Sequence, residues 1–246
     1  MDWLKNIFSN NRQTKIEQFL ETDIHSHILP GLDDGCATLQ QSVELIKELS
    51  RLGYKKLILS PHVIADYYPN TPEGIKNSLE ILRNELVRYN LNIKLEAIAE
   101  YYVDNHFINL VYQRSSLLNI QNYILVETGF MNLPTQLDDM FFELKTQGYK
   151  PILAHPERYL YAQQDFNKLK KIFEKEVFFQ INIMSLTGHY SVQAKQVCEK
   201  LIDNKMVHFV GSDCHHLKHI SIMEAAFKSN YFKKLSNLAI LNHQLG

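Results

Sequence analysis

Thr22-Asp23-Ile24-His25-Ser26-His27-Ile28-Leu29-Pro30-Gly31-Leu32-Asp33-Asp34-Gly35 is the stretch on which the reading of this chain turns. A short strand from Thr22 runs into a burst of imidazole and carboxylate. The His25-x-His27 spacing puts both rings on one side of an extended chain, because residues i and i+2 share a face. The same event recurs further along. Ser60-Pro61-His62 closes a strand expected at 55–60, and Ala99-Glu100-Tyr101-Tyr102 closes one at 93–100. Val126-Glu127-Thr128 ends a strand at 123–127, and Ala154-His155-Pro156-Glu157-Arg158-Tyr159 ends one at 150–154. Gly211-Ser212-Asp213-Cys214-His215-His216 ends a strand at 206–211. A seventh strand, at 177–183, has no such tip. Helical patterns lie between the strands. Val43, Ile46, Leu49 and Leu52 form one apolar stripe, and Leu137, Met140, Phe141 and Leu144 another. Gly53 and Gly148 stand where C-terminal caps belong. Further helices are expected at 195–203 and from 223. Repeated strand–helix alternation implies a parallel sheet. In an α/β barrel the C-terminal strand ends form one face, and active sites sit there.

The chain has 246 residues, a length that one α/β barrel of about 200–250 residues fills alone. Its 26 basic and 27 acidic residues nearly cancel, so there is no global electrostatic ground for nucleic-acid binding. Nine glycines and seven prolines are too few for a disordered or low-complexity chain. Three cysteines without a CxxC pair point to a reducing compartment and no disulfide framework. No apolar run approaches the ~20 residues of a membrane span, and no signal peptide is legible. A cytoplasmic protein without a membrane span is expected. No Gly-, Ser- or Pro-rich linker appears, so residues 22–246 read as a single domain. Residues 1–21 read as an N-terminal amphipathic extension with Trp3, Leu4, Ile7 and Phe8 on one face. It either packs on the barrel or docks on a membrane-linked partner.

Imidazole mixed with carboxylate, without thiolate, suits zinc, manganese or iron in a catalytic role rather than a closed structural zinc site. His62 or His155 alone would read as a hydrogen-bonded core histidine. Glu100 and Glu127 end apolar strands, where a carboxylate is costly unless paired or metal-bound. The common pattern at six strand tips argues for one site. The candidates exceed what a single ion needs, so two or three ions are implied, with Glu100 and Glu127 as bridges. Metal pairs about 3.5–4 Å apart are the usual machinery of phosphate-ester hydrolysis. Arg158 offers a planar fork for phosphate oxygens, against the plainer reading of a surface ion pair with Glu157. Cys214 should point away from the ligands, into the core. A cysteine-dependent phosphatase needs Cys-x5-Arg, but six residues beyond Cys36, Cys198 and Cys214 stand Ser42, Asn204 and Ile220.

These motifs, in this order over about residues 22–220, resemble the polymerase-and-histidinol-phosphatase (PHP) superfamily. Asp23-Ile-His-Ser-His-Ile-Leu-Pro-Gly-Leu-Asp-Asp-Gly35 is more closely similar to the bacterial manganese-dependent protein-tyrosine phosphatases of capsule and exopolysaccharide operons. The resemblance implies an α/β fold, a distorted seven-stranded (β/α)7 barrel of the PHP type, with two or three divalent ions. Manganese is implied first, with iron or zinc as alternatives. Ligand roles fall on His25, His27, Asp34, His62, Glu100, Glu127, His155, Asp213 and His215, and phosphate binding on Arg158. The implied substrate is a phosphotyrosine-bearing protein, the tail of a membrane-associated tyrosine kinase of polysaccharide export, cleaved by metal-activated hydroxide. A homo-oligomer is compatible with the sequence. Family members often carry an arginine just after the last metal histidine. Here the stretch reads His216-Leu217-Lys218-His219, so His216, Lys218 or His219 takes its place. His216, His219 and Asp33 are also the candidates for a general acid, and Tyr101 and Tyr102 for an aromatic mouth. The competing readings are a PHP-type small-molecule phosphoesterase, such as a histidinol phosphatase, and a non-catalytic kinase-binding module.

Overall fold

The computed structural model describes residues 20–245. Of the extension expected at 1–21, all but Leu20 and Glu21 lies outside the described residues. The strands are β1 (Thr22–Asp23), β2 (Lys56–Leu59), β3 (His62–Val63), β4 (Lys94–Ala97), β5 (Glu100–Tyr102), β6 (Tyr123–Glu127), β7 (Lys150–Ala154), β8 (Phe178–Asn182) and β9 (Phe209–Gly211). Every strand pairing is parallel. The strands make two sheets, β1-β2-β4 and β3-β5-β6-β7-β8-β9, where the sequence reading expected seven strands in one cylinder. The ladder is interrupted at Ser60-Pro61 and Ile98-Ala99. Proline has no N–H to give to a ladder. The carbonyl of Pro61 still accepts the Glu100 N–H at 3.0 Å, and the Ser60 N–H reaches Ser26 O at 2.8 Å. At the far side, the Asp213 N–H donates to His25 O and the His27 N–H to Cys214 O, around a parallel Ser26–Cys214 bridge.

Helices α1 (Leu39–Leu52), α2 (Pro72–Arg88), α3 (Asn105–Tyr112), α4 (Leu137–Thr146), α5 (Leu160–Gln164), α6 (Asn167–Phe173), α7 (Val192–Asp203), α8 (Lys218–Ala226) and α9 (Asn230–Leu235) fill the connections. The two apolar stripes read from the sequence are buried in α1 and α4. α1 begins at a capping box of Thr38 and Gln41 and stops at Gly53, whose φ of 116° suits a residue without a Cβ. α7 starts at Val192, because the Ser191 hydroxyl caps it by accepting the Ala194 N–H, three residues before the expected start. α2 goes beyond the sequence expectation. Pro72 at its first turn and buried Ile75, Leu79, Leu82 and Leu86 form it.

The main core lies between the strands and the helices. A smaller cluster, including Ile58, Ile98, Leu125, Ile152 and Phe209, packs against itself. Leu125 and Glu127 are i and i+2 on β6, so the apolar plug sits one pleat below a carboxylate that faces the same way. The plug is the dry floor under the polar strand tips.

Candidate metal centre

All nine residues expected as ligands come together. Four sets of donor atoms each lie within 4.8 Å of one another: His27, Asp34, His62 and His215; His25, Glu100 and His155; His25, His27 and Asp213; His62, Glu100 and Glu127. The sets overlap through His25, His27, His62 and Glu100, so they make one cluster. Glu100 is its hub. Its Oε2 lies 3.2 Å from His25 Nε2, 3.3 Å from His27 Nε2 and 3.1 Å from His62 Nδ1, and its Oε1 lies 3.1 Å from His155 Nε2. Asp213 Oδ1 approaches His25 and His27 from the other side at 3.7 and 3.5 Å. Asp34 is the exposed member, 3.5 Å from His215 Nε2. His155 and Asp213 hold φ values of 32° and 52°, in the left-handed region that non-glycine residues rarely occupy. Such backbone strain is characteristic of functional sites.

The rings are oriented from behind. His25 Nδ1 meets Gln180 Oε1 at 2.8 Å and His27 Nδ1 meets Asp33 Oδ2 at 2.7 Å. Both partners are acceptors, so each Nδ1 carries a hydrogen and each neutral ring turns a bare Nε2 lone pair inward. The two Nε2 atoms are only 3.1 Å apart. Two lone pairs at that distance need a cation or a proton between them. Glu100 Oε2 and His62 Nδ1 are buried with no hydrogen-bond partner of proper geometry. Buried polar atoms are seldom left so. The donor set therefore fits divalent cations.

The electrostatics say the same. Burial works against a charged His27, yet Asp33 and Glu100 hold its pKa well above 6.5. Burial raises Glu127, and the neighbouring Glu100 charge pushes it further, well above the ordinary carboxylate range. Burial also opposes ionisation of Glu100 and Asp213, but the imidazoles around Glu100, and Arg158 and imidazoles around Asp213, hold both well below that range. The nine residues include four carboxylates, and among the described residues Arg158 is the one guanidinium lining their cavity.

Above the cluster opens a cavity of about 460 Å³. Arg158 lines it, with Nη1 donating to Asp213 Oδ2 at 2.7 Å rather than pairing with Glu157. The Glu157 carboxylate is buried and accepts from Asn182 N and Ser185 Oγ. Phe130 and Tyr190 flank the guanidinium at 5.0 and 4.3 Å. Tyr102 lines the cavity, whereas Tyr101 is buried and stacks on Phe107, so it does not join the mouth expected of both. Glu100 faces the site, and the i+2 rule sends Tyr102 with it and Tyr101 away. His216, Lys218 and His219 line the rim. His219 Nδ1 accepts the His215 N–H, and burial with neighbouring His215 lowers its pKa to about 4. Asp33 does not stand free as an acid: it accepts from His27, from Gly35 N and from His62 N. The three cysteines are buried, Cys214 in the core as expected, and burial raises all three thiols. None is a thiolate nucleophile.

Sequence reasoning missed Gln180, Asn182 and Tyr190. Asn182 Nδ2 and Tyr190 Oη both donate to Asp213 Oδ2, at 2.6 and 3.1 Å. Gln180 and Asn182 alternate along β8, the strand from which the sequence reading drew no ligand. That alternation was the available signal.

Comparison with known proteins agrees with this geometry. The family described as capsular polysaccharide synthesis, CpsB/CapC, matches residues 21–234. Tyrosine-protein phosphatase YwqE of Bacillus subtilis (strain 168) is 31% identical over 197 residues, 80% of this chain and 78% of the relative. A putative tyrosine-protein phosphatase CapC of Staphylococcus aureus is 30% identical over 196 residues, 79% of this chain and 77% of the relative. Among solved structures, the fold matches one from the work on YwqE of Bacillus subtilis and CpsB of Streptococcus pneumoniae, described as unique metal-dependent tyrosine phosphatases. That match has a TM-score of 0.77 and 28% identity, over 91% of this chain and 94% of the other.

Proposed function

The chain belongs to the capsular polysaccharide synthesis CpsB/CapC family, and from that membership we propose that it is a metal-dependent protein-tyrosine phosphatase, hydrolysing phosphotyrosine monoesters on protein. One observation carries the reading. Nine imidazole and carboxylate side chains converge from six separate stretches beneath an open cavity walled by Arg158. We assign His25, His27, Asp34, His62, Glu100, Glu127, His155, Asp213 and His215 to two or three divalent ions. Manganese is the first choice, and iron or zinc suits the same donors. We infer also that the two sheets are parts of one distorted seven-stranded barrel formed by a single domain, residues 22–246. Support for this comes from β2 running on into β3, β4 into β5, and the Ser26–Cys214 bridge between the first and last segments.

Divalent cations held by this cluster would supply Lewis acidity and bring the pKa of water towards about 7. The chain's own groups do the rest. Gln180 and Asp33 keep the His25 and His27 lone pairs aimed inward. Arg158 meets the non-bridging phosphoryl oxygens, where charge sits in the transition state. Lys218 takes the second cationic position on the rim. The leaving phenolate has a pKa of about 10, so it departs with little need of a proton. His216 and His219 line the rim, but burial lowers both pKa values, so neither stands there as a charged acid at neutral pH.

The substrate we favour is the phosphotyrosine-bearing tail of a membrane-associated tyrosine kinase, met in the cytoplasm; the family's role in capsule synthesis supports it. Among the described residues no helix is long and apolar enough to cross a membrane. The test is metal analysis of the purified protein, followed by phosphotyrosyl-peptide hydrolysis with and without manganese. Activity should vanish in excess chelator, return with manganese and survive thiol alkylation. Activity that persists without metal sinks the reading. Faster turnover of histidinol phosphate would make it a small-molecule phosphoesterase, and kinase binding without turnover a docking module.

A further inference from the structure

The central cavity continues on two sides. It shares Phe130, Arg158 and Tyr190 with a hollow of about 490 Å³, and His215 and His216 with another of about 330 Å³. The three hollows make one trough, with the carboxylate–imidazole cluster at its middle. The arms differ from the centre. Leu160, Gln193 and Ala194 wall the first, and Ala37, Leu45 and Leu217 the second. Among the described residues neither arm has a carboxylate in its lining, while cationic or imidazole groups stand where each joins the centre. The walls of the two arms therefore set no carboxylate against a chain that carries a phosphate dianion through the centre.

Exposed apolar side chains gather along the arms. Leu160 and Leu217 are 38% and 45% exposed. Met131 and Val192, chain neighbours of the lining residues Phe130 and Gln193, are 66% and 63% exposed. Apolar side chains clustered in the open mark binding surfaces. A site for a small phosphoester would enclose its ligand; this one runs out on two sides.

We propose that the trough seats an extended phosphopeptide. The phosphotyrosyl side chain enters the central cavity, and uncharged or apolar residues on either side of it occupy the two arms. The proposal rests on the phosphatase reading and deepens it: recognition extends beyond the phosphotyrosine to its neighbours in sequence.

The test uses manganese-loaded protein and three substrates with blocked termini: phosphotyrosine alone, with one alanine on each side, and with four uncharged residues on each side. The longest should exceed the shortest in kcat/KM by about tenfold or more, mostly through KM. Leu160→Asp and Leu217→Asp should each lower that ratio about fivefold or more, while the small substrate's own kcat/KM stays within about twofold of the parent. Fluorescence polarisation of a labelled peptide bearing a non-hydrolysable phosphonate gives a second readout, and circular dichroism checks the fold. A ratio near one in the parent protein overturns the proposal, as do variants that leave it unchanged. So does a change in sedimentation alone, which would make the trough a contact between copies. No turnover of any aryl phosphate would strike the phosphatase reading instead, and the length dependence of peptide binding would still decide the trough.

Discussion

Arg158 is held by its neighbours on three sides. Asp213 Oδ2 accepts from it, while Phe130 and Tyr190 flank its plane. Lysine would keep the charge but lose the planar fork and the stacking. Arg158→Lys should therefore fall well short of the parent in kcat/KM, and Arg158→Ala should lose about 10²–10³-fold, the usual scale for one oxyanion donor. Tyr190→Phe keeps the ring under the guanidinium and loses the hydroxyl's two hydrogen bonds, the one it donates to Asp213 and the one it accepts from Asn182. It should stay within a few-fold of the parent, whereas Tyr190→Ala should lose about tenfold or more. Steady-state kinetics on a phosphotyrosyl peptide at saturating manganese separates these cases; equal losses in both Tyr190 variants would mean that the ring does not position Arg158. Gly211 is a second residue with a sharp requirement. A Cβ there would stand 2.6 Å from His25 Cβ and 2.8 Å from Gln180 Nε2. Gly211→Ala should push His25 out of register and destabilise the fold by about 1–3 kcal/mol, as overpacking does. Thermal melting and manganese titration would both register it.

At the scale of elements, β8 orients ligands without supplying any. Gln180 turns His25, and Asn182, two residues on and on the same face, holds Asp213. Gln180 Nε2 also donates to Asn182 Oδ1 at 2.8 Å, so the two amides act as a unit. Gln180→Ala should weaken manganese binding about 10–100-fold, the range for removing a histidine's supporting partner, with the fold retained. Isothermal titration measures it, and an unchanged affinity would remove β8 from the site. This strand also shows why part of the site escaped the sequence. His25-x-His27 and Asp213-x-His215 were legible because charged and imidazole groups at strand tips are conspicuous. Gln180 and Asn182 are neutral, lie within a strand, and matter only through partners about 155 and 31 positions away. Tyr190 lies between Gly188 and the cap of α7, where no periodicity says which way a ring turns. The parallel strand order was legible because apolar runs alternate with helical stripes. The breaks at Ser60-Pro61 and Ile98-Ala99 were not, because a ladder's interruption depends on what its neighbours offer. α2 could have been found from Pro72 and its buried stripe; that stripe follows so closely on the β3 turn that it was passed over.

The molecule as a whole concentrates negative charge around a few lone pairs, and that couples its stability to pH and to metal in a definite direction. In the metal-free protein His27 has a pKa raised above its ordinary 6.5. Its stabilising contribution is complete below that value and fades as pH rises through the folded-state pKa. Glu127, raised well above 4.5 by burial and by Glu100, acts with the same sign, since the unfolded chain ionises it more readily. Glu100 and Asp213 are lowered, so they contribute throughout the neutral range and lose their effect only in acid. His62, His155 and His219 are lowered and act with the opposite sign, but only until unfolded histidine has lost its proton, so it is in the interval above about pH 7 that the metal-free fold should weaken as pH rises. Metal binding runs the other way. Protons compete with cations for the imidazole nitrogens, so affinity rises with pH, and a tighter ligand stabilises the folded state more. The gap in Tm between manganese-loaded and chelator-stripped protein should widen steadily across that interval. Scanning calorimetry at three pH values measures it at fixed free manganese. A gap that stayed constant or narrowed would mean that the cations bind somewhere other than this cluster, because no other group of described residues combines buried imidazoles with buried carboxylates in this way.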